Sequence, residues 1–167
     1  MKSNKRIYLV GMPGSGKSFF GKNLANELDV PFIDMDDETE TREKKTISEI
    51  FEIQGEEYFR KVEATVLRDL TLNNDNCVIS TGGGAPCFHQ GMDYMNANGV
   101  TIYLKTEKSL LIERLERKSH RPLMHGDIVK KTELLLETRG PIYEKAHLAI
   151  DHREVSSVVE SLSKIKN

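Results

Sequence analysis

The stretch from Gly11 to Phe20 reads GMPGSGKSFF and follows directly on the apolar run Ile7–Val10. Gly11 to Ser18 satisfies G-x-x-x-x-G-K-[ST], the pattern of a loop that wraps phosphate oxygens in backbone N–H groups. No other segment restricts the fold as strongly. For several N–H groups to converge on one anion, the chain must curl through left-handed dihedrals, where glycine has no side chain to clash. The loop must also leave a strand and enter a helix, whose positive end faces the same anion. The stretch therefore implies strand, loop and helix in succession, holding the phosphates of a nucleotide. Lys17 can reach the β- and γ-phosphates, and the Ser18 hydroxyl can ligate Mg²⁺. Gly14, Ser15, Gly16 and Phe19 complete the candidate nucleotide contacts on this loop. The motif alone leaves open whether the phosphoryl group passes to water, to a protein or to a small molecule.

The rest of the chain continues the alternation. Strands are expected at Arg6–Val10, Pro31–Met35, Cys77–Thr81, Val100–Leu104 and Leu148–Asp151, most of them near-continuous apolar runs of the kind parallel sheets bury on both faces. Helices are expected at Ser18–Leu28, at Ile47–Leu72 with a break near Gln54–Gly55, at Leu110–Arg117, at Val129–Arg139 with a stop at Gly140–Pro141, and at Val155–Ile165. This order predicts a three-layer α/β fold of the phosphate-loop NTPase type, with five mostly parallel strands. With 167 residues and no linker or repeat, residues 1–167 form one expected domain. A formal net charge of −2 argues against a general nucleic-acid binder. Two cysteines, Cys77 and Cys87, fit neither a redox pair nor a zinc site and are expected as reduced thiols. No apolar stretch approaches a membrane span, and the N-terminal apolar run is too short for a signal peptide, so a cytoplasmic protein is expected.

Four further features sit where chemistry is expected. Asp34 and Asp36 end the second strand candidate, at the sheet edge where open α/β folds bind ligands. On an extended segment both carboxylates would point the same way. One could hold Mg²⁺ through water and the other accept the proton of an attacking hydroxyl. Gly82, Gly83 and Gly84 follow the third strand candidate and suggest close backbone approach to a ligand. Arg60 lies beside Phe59 on a helix, and Arg139 near a helix end. The polar, basic segment around Arg121, with His120 and His125, reads either as a lid over about residues 115–127 that brings positive charge over the phosphates or as a solvated loop.

The ordered set GMPGSGKS, FIDMDD, IFEIQGEEYFRKVE, STGGGAP, RPLM and ETRGPIYEKA resembles the shikimate kinases, and the resemblance runs from about Lys5 to His152. It implies sheet order 2-3-1-4-5, a lid, and transfer of the ATP γ-phosphoryl group to the 3-hydroxyl of shikimate, in the route to chorismate and the aromatic amino acids. It implies ATP as co-substrate with Mg²⁺, shikimate as partner, and a monomer. By position, Lys17 and Ser18 serve phosphates and metal, Asp34 the metal shell, and Asp36 the shikimate hydroxyls as base. Arg60, Arg139 and the glycine run around Gly83 match the substrate-carboxylate site, with Glu63 supporting Arg60. Arg121 matches the lid arginine that reaches the nucleotide phosphates. Arg114 matches a residue packing on adenine, with Arg153 the candidate for a second adenine contact. The motif RPLM departs from the family's frequent leucine at Met124. Gluconate-kinase-like or nucleoside-monophosphate kinases, and a nucleotide-binding regulatory domain, share the loop but not the Arg60, Gly83 and Arg139 set.

Overall fold

The computed structural model describes residues 5–118, 125–151 and 154–165. Five strands, β1 Ile7–Val10, β2 Phe32–Asp34, β3 Val78–Ser80, β4 Val100–Leu104 and β5 Leu148–Ile150, form one sheet. Every pairing is parallel and the order is 2-3-1-4-5. The helices are α1 Lys17–Leu28, α2 Met35–Glu43, α3 Ile47–Asn73, α4 Gly91–Asn98, α5 Lys108–Lys118, α6 His125–Tyr143 and α7 Val155–Lys164.

The three central strands, β3, β1 and β4, are buried on both faces, with successive residues pointing to opposite sides. Tyr8, Val10, Ile79 and Tyr103 enter one core, together with Val66, Leu67 and Leu70 of α3. Ile7, Leu9, Val78 and Ile102 enter the other, against Phe20 and Leu24 of α1 and Val158 and Leu162 of α7. This two-sided burial accounts for apolar runs without alternation. Cys77 is buried and Cys87 half-buried, both as free thiols. Among the described residues no helix is long and apolar enough to cross a membrane.

Three local expectations are corrected. The second strand stops at Asp34, and Met35 begins α2, a helix the sequence pattern hides because its mean hydropathy is low and only Met35 and Thr39 are buried. Asp34 starts that helix: its carboxylate accepts the backbone N–H groups of Asp36 at 3.0 Å and Asp37 at 3.4 Å, an N-cap arrangement. Helix α6 runs through Gly140 and Pro141 to Tyr143. A proline in a helix interior removes one hydrogen bond, and the complete burial of Tyr143 in the core outweighs that loss. In α3 the expected break is present, at Gly55 with φ 83° and ψ 171°.

Candidate active site

Strand register assembles the site at the carboxyl edge of the sheet. Asp34 lies opposite Ser80, and Ser80 opposite Leu9. The phosphate loop begins just past Val10, so it opens beside both of them. Ser18, in the first turn of α1, donates its hydroxyl to the Asp34 carboxylate, and its Oγ lies 3.4 Å from the Ser80 Oγ. Gly14 and Gly16 hold φ values of 79° and 87°, the left-handed geometry the nest requires. The Lys17 ammonium is buried and donates to the carbonyls of Gly11 and Met12, each at 2.9 Å. Burial lowers its pKa from 10.5 to about 8, against the opposing pull of Asp36 and Asp34. Arg114 reaches the same loop, donating to the Gly14 carbonyl at 3.0 Å. The Phe19 ring points away, 76% exposed, so only its backbone in the first helical turn is near the loop.

Asp34 and Asp36 are not on one strand face, as extended geometry would have them. Asp34 is tied into the cap and to Ser18, while Asp36 occupies the first turn of α2. Asp36 faces the glycine run instead. A Cβ at Gly82 would stand 2.9 Å from Asp36 Oδ1 and 2.6 Å from Glu63 Oε2. Two carboxylates therefore converge where the chain has no side chain. Desolvation, then the charge of Asp34, raises the Asp36 pKa. Burial also raises that of Glu63, with Arg60 opposing.

Arg60 is 7% exposed and held by two acids. Its Nε and Nη2 both donate to Glu56 Oε1, at 3.3 and 3.2 Å, and its Nη1 donates to Glu63 Oε1 at 2.9 Å. A guanidinium carries five N–H groups. These three bonds leave one N–H on each terminal nitrogen for a further acceptor. The rings of Phe51, Phe59 and Phe88 surround it, with Phe88 nearest. Gly84 allows this placement, since a Cβ there would lie 2.1 Å from Nη1. The kink at Gly55 shapes the wall: Phe51 and Phe59 stack at 4.7 Å between ring centres, although eight residues of straight helix would separate them by about 12 Å.

Arg139 of α6 lines the same cleft of about 420 Å³ as Asp36, Arg60, Glu63 and the glycines. One turn later, Tyr143 donates its hydroxyl to the Gly83 carbonyl at 2.5 Å. Gly83 in turn abuts the phosphate loop, where its Cβ would stand 2.8 Å from Pro13 Cδ. The loop and the arginine-lined cleft thus share a wall. Pro13, Ser80, Phe51, Phe88 and Tyr143 were not singled out by sequence. Tyr143 lay behind the proline taken as a helix stop; Pro13, Ser80 and Phe51 sit inside the quoted motifs without a role of their own, and Phe88 lies in none of them. Arg121, Arg153, His120 and the centre of the expected lid lie outside the described residues.

The chain is similar to known proteins over nearly its whole length. The family model described as shikimate kinase matches residues 13–167. A shikimate kinase of Bacteroides fragilis is 41% identical over 175 residues, covering 97% of this chain and 96% of that protein. A solved shikimate kinase of Bacteroides thetaiotaomicron is 36% identical with a TM-score of 0.86, over 96% of this chain and 97% of that one. The shikimate kinase of Acinetobacter baumannii, solved in complex with shikimate, is 34% identical with a TM-score of 0.87, over 97% of this chain and 96% of that one.

Proposed function

The chain belongs to the shikimate kinase family, and from that premise we propose that its cleft binds shikimate through Arg60 and Arg139, with Asp36 as the proton acceptor. The protein is an ATP-dependent shikimate kinase of aromatic amino acid biosynthesis. One observation carries the residue assignment: Arg60, Arg139 and Asp36 line a single cleft that shares Gly83 and Pro13 with the phosphate loop.

Shikimate carries one carboxylate and three hydroxyls. The two remaining N–H groups of Arg60 and the charge of Arg139 suit the carboxylate, because a guanidinium pairs with a planar anion through charge-assisted hydrogen bonds. That anchoring turns the 3-hydroxyl toward the loop. Asp36, its basicity raised by its surroundings, accepts the hydroxyl proton as the oxygen attacks the γ-phosphorus. The bond from that phosphorus to the ADP oxygen breaks, and Lys17 and the loop N–H groups hold the charge left on the phosphates. Glu63 keeps Arg60 oriented. Arg114 lies on the nucleotide side, and the lid over about 115–127, with Arg121 and Arg153, completes this reading from sequence alone.

Mg²⁺ fits the donor set at the loop. Ser18 and Asp34 offer hard oxygens in contact with each other, and Mg²⁺ takes few protein ligands, the rest coming from phosphates and water. Among the described residues no three His, Cys, Asp or Glu gather to hold a metal unaided. When bound, the ion supplies charge neutralisation at the β- and γ-phosphates. The reading places residues 1–167 in one domain acting as a cytoplasmic monomer.

Coupled ADP release with shikimate, gluconate, AMP or no acceptor tests it. Turnover with shikimate alone is expected, and equal release without an acceptor would contradict it. Nucleotide affinity should also depend on pH through Lys17. Phosphates need its ammonium, which in the free protein is lost above about pH 8. ATP affinity is therefore expected to weaken above that value, approaching about tenfold per pH unit, with proton uptake on binding. Titration calorimetry in buffers of different ionisation enthalpy measures both. The same depressed pKa makes the free fold gain stability as pH rises from about 8 to 10.5, because the unfolded chain then holds the extra proton.

A further inference from the structure

Phe88 has no part in the reading above, yet it makes the closest ring contact to Arg60. Its centroid lies 4.2 Å from Arg60 Cζ, against 5.1 Å for Phe59 and 5.8 Å for Phe51. The guanidinium carbon thus sits over the Phe88 ring, within cation–π range. The backbone is bent to hold it there. His89 and Gln90, the next two residues, have φ values of 49° and 59°. Two successive non-glycine residues in the left-handed region are costly and persist only where neighbours impose them. Those neighbours are visible. Arg68 donates to the His89 carbonyl at 2.9 Å. Gly91 closes the turn against Ala85, whose carbonyl oxygen would lie 1.9 Å from a Cβ at position 91. Phe88 itself is still 36% exposed, so burial of the ring is incomplete.

Arg60 supplies the missing reason. Glu56 and Glu63 hold it by hydrogen bonds from its edges, which fix distances but leave the tilt of the plane to packing. A ring in contact with the cation limits that tilt. We propose that Phe88 is a positioning residue for the acceptor: it holds the Arg60 guanidinium so that the two N–H groups not engaged by Glu56 and Glu63 face the acceptor carboxylate. The inference rests on the assignment of Arg60 to that carboxylate and adds a residue that sets how tightly an organic acid is gripped.

The test compares Phe88→Leu and Phe88→Met, which lose the ring, with Phe88→Tyr, which keeps it. Steady-state kinetics are measured at saturating ATP with shikimate and with shikimate methyl ester, whose carboxylate charge is masked. The ringless variants are expected to raise the KM for shikimate about three- to thirtyfold, the range of a cation–π contact. Their kcat should stay within about twofold of wild type, Phe88→Tyr should match wild type, and kcat/KM for the ester should hardly move. An unchanged shikimate KM in the ringless variants overturns the proposal. So does an equal loss with acid and ester, which would mean a loosened pocket and not a misdirected Arg60. Failure of the wild-type protein to phosphorylate shikimate would instead defeat the functional reading beneath it, so the two failures are distinct.

Discussion

Asp36→Asn is expected to lower kcat for transfer to shikimate by about 10²- to 10⁴-fold, the usual contribution of a positioned general base. Asparagine keeps the shape and can still hydrogen-bond a hydroxyl, but it cannot take its proton. The effect should therefore fall on kcat, with KM for both substrates changed little. The pH profile offers a second reading of the same residue. The Asp36 carboxyl titrates above the ordinary aspartate range because its surroundings desolvate it and Asp34 stands nearby. The base works only when ionised, so activity should fall as pH drops through that raised value, and the acid limb should vanish in the variant. A near-native rate in Asp36→Asn would remove it as the proton acceptor.

Arg60→Ala is expected to damage both substrate binding and the fold. Removing one charge-assisted contact to the carboxylate should raise the shikimate KM about ten- to a hundredfold, with a smaller effect on ATP. Arg60 and Glu63 are both nearly buried, and deleting one member of such a pair costs about 3–5 kcal/mol, because the other charge is left uncompensated. The sign of the pH dependence follows from Glu63. Its folded pKa is already raised, with Arg60 opposing the rise; without Arg60 it rises further. The folded variant then binds a proton more readily than the unfolded chain, so its deficit should be largest at neutral and alkaline pH and shrink toward pH 5. Chemical denaturation of both proteins across that range measures this. A deficit independent of pH would show that Glu63 is not the stranded charge.

The sequence was most informative where one residue type answers one physical demand. Gly14, Gly16 and Lys17 can be read directly because a phosphate nest tolerates few alternatives, and the strands because burial on both faces leaves unbroken apolar runs. Helix α2 was hidden because it rests on the molecule with only Met35 and Thr39 buried, so no apolar stripe announces it. Missing it also misplaced Asp36, whose direction depends on Asp34 ending the strand as a helix cap. Tyr143 was masked by Pro141, since local propensity favours a stop and only the packing of a distant tyrosine overrides it. Phe88 and Pro13 owe their roles to neighbours far along the chain, which no local pattern records.

The bend at Gly55 carries a lesson about adaptability. A side chain at this position would collide with nothing within 4 Å, yet its φ of 83° and ψ of 171° belong to a region essentially reserved for glycine. Any replacement would straighten or redirect the front of α3 and carry Phe51 away from Phe59. The wall of the cleft beside Arg60 can thus be reshaped from a position that packs against nothing, through the chirality of a single backbone unit.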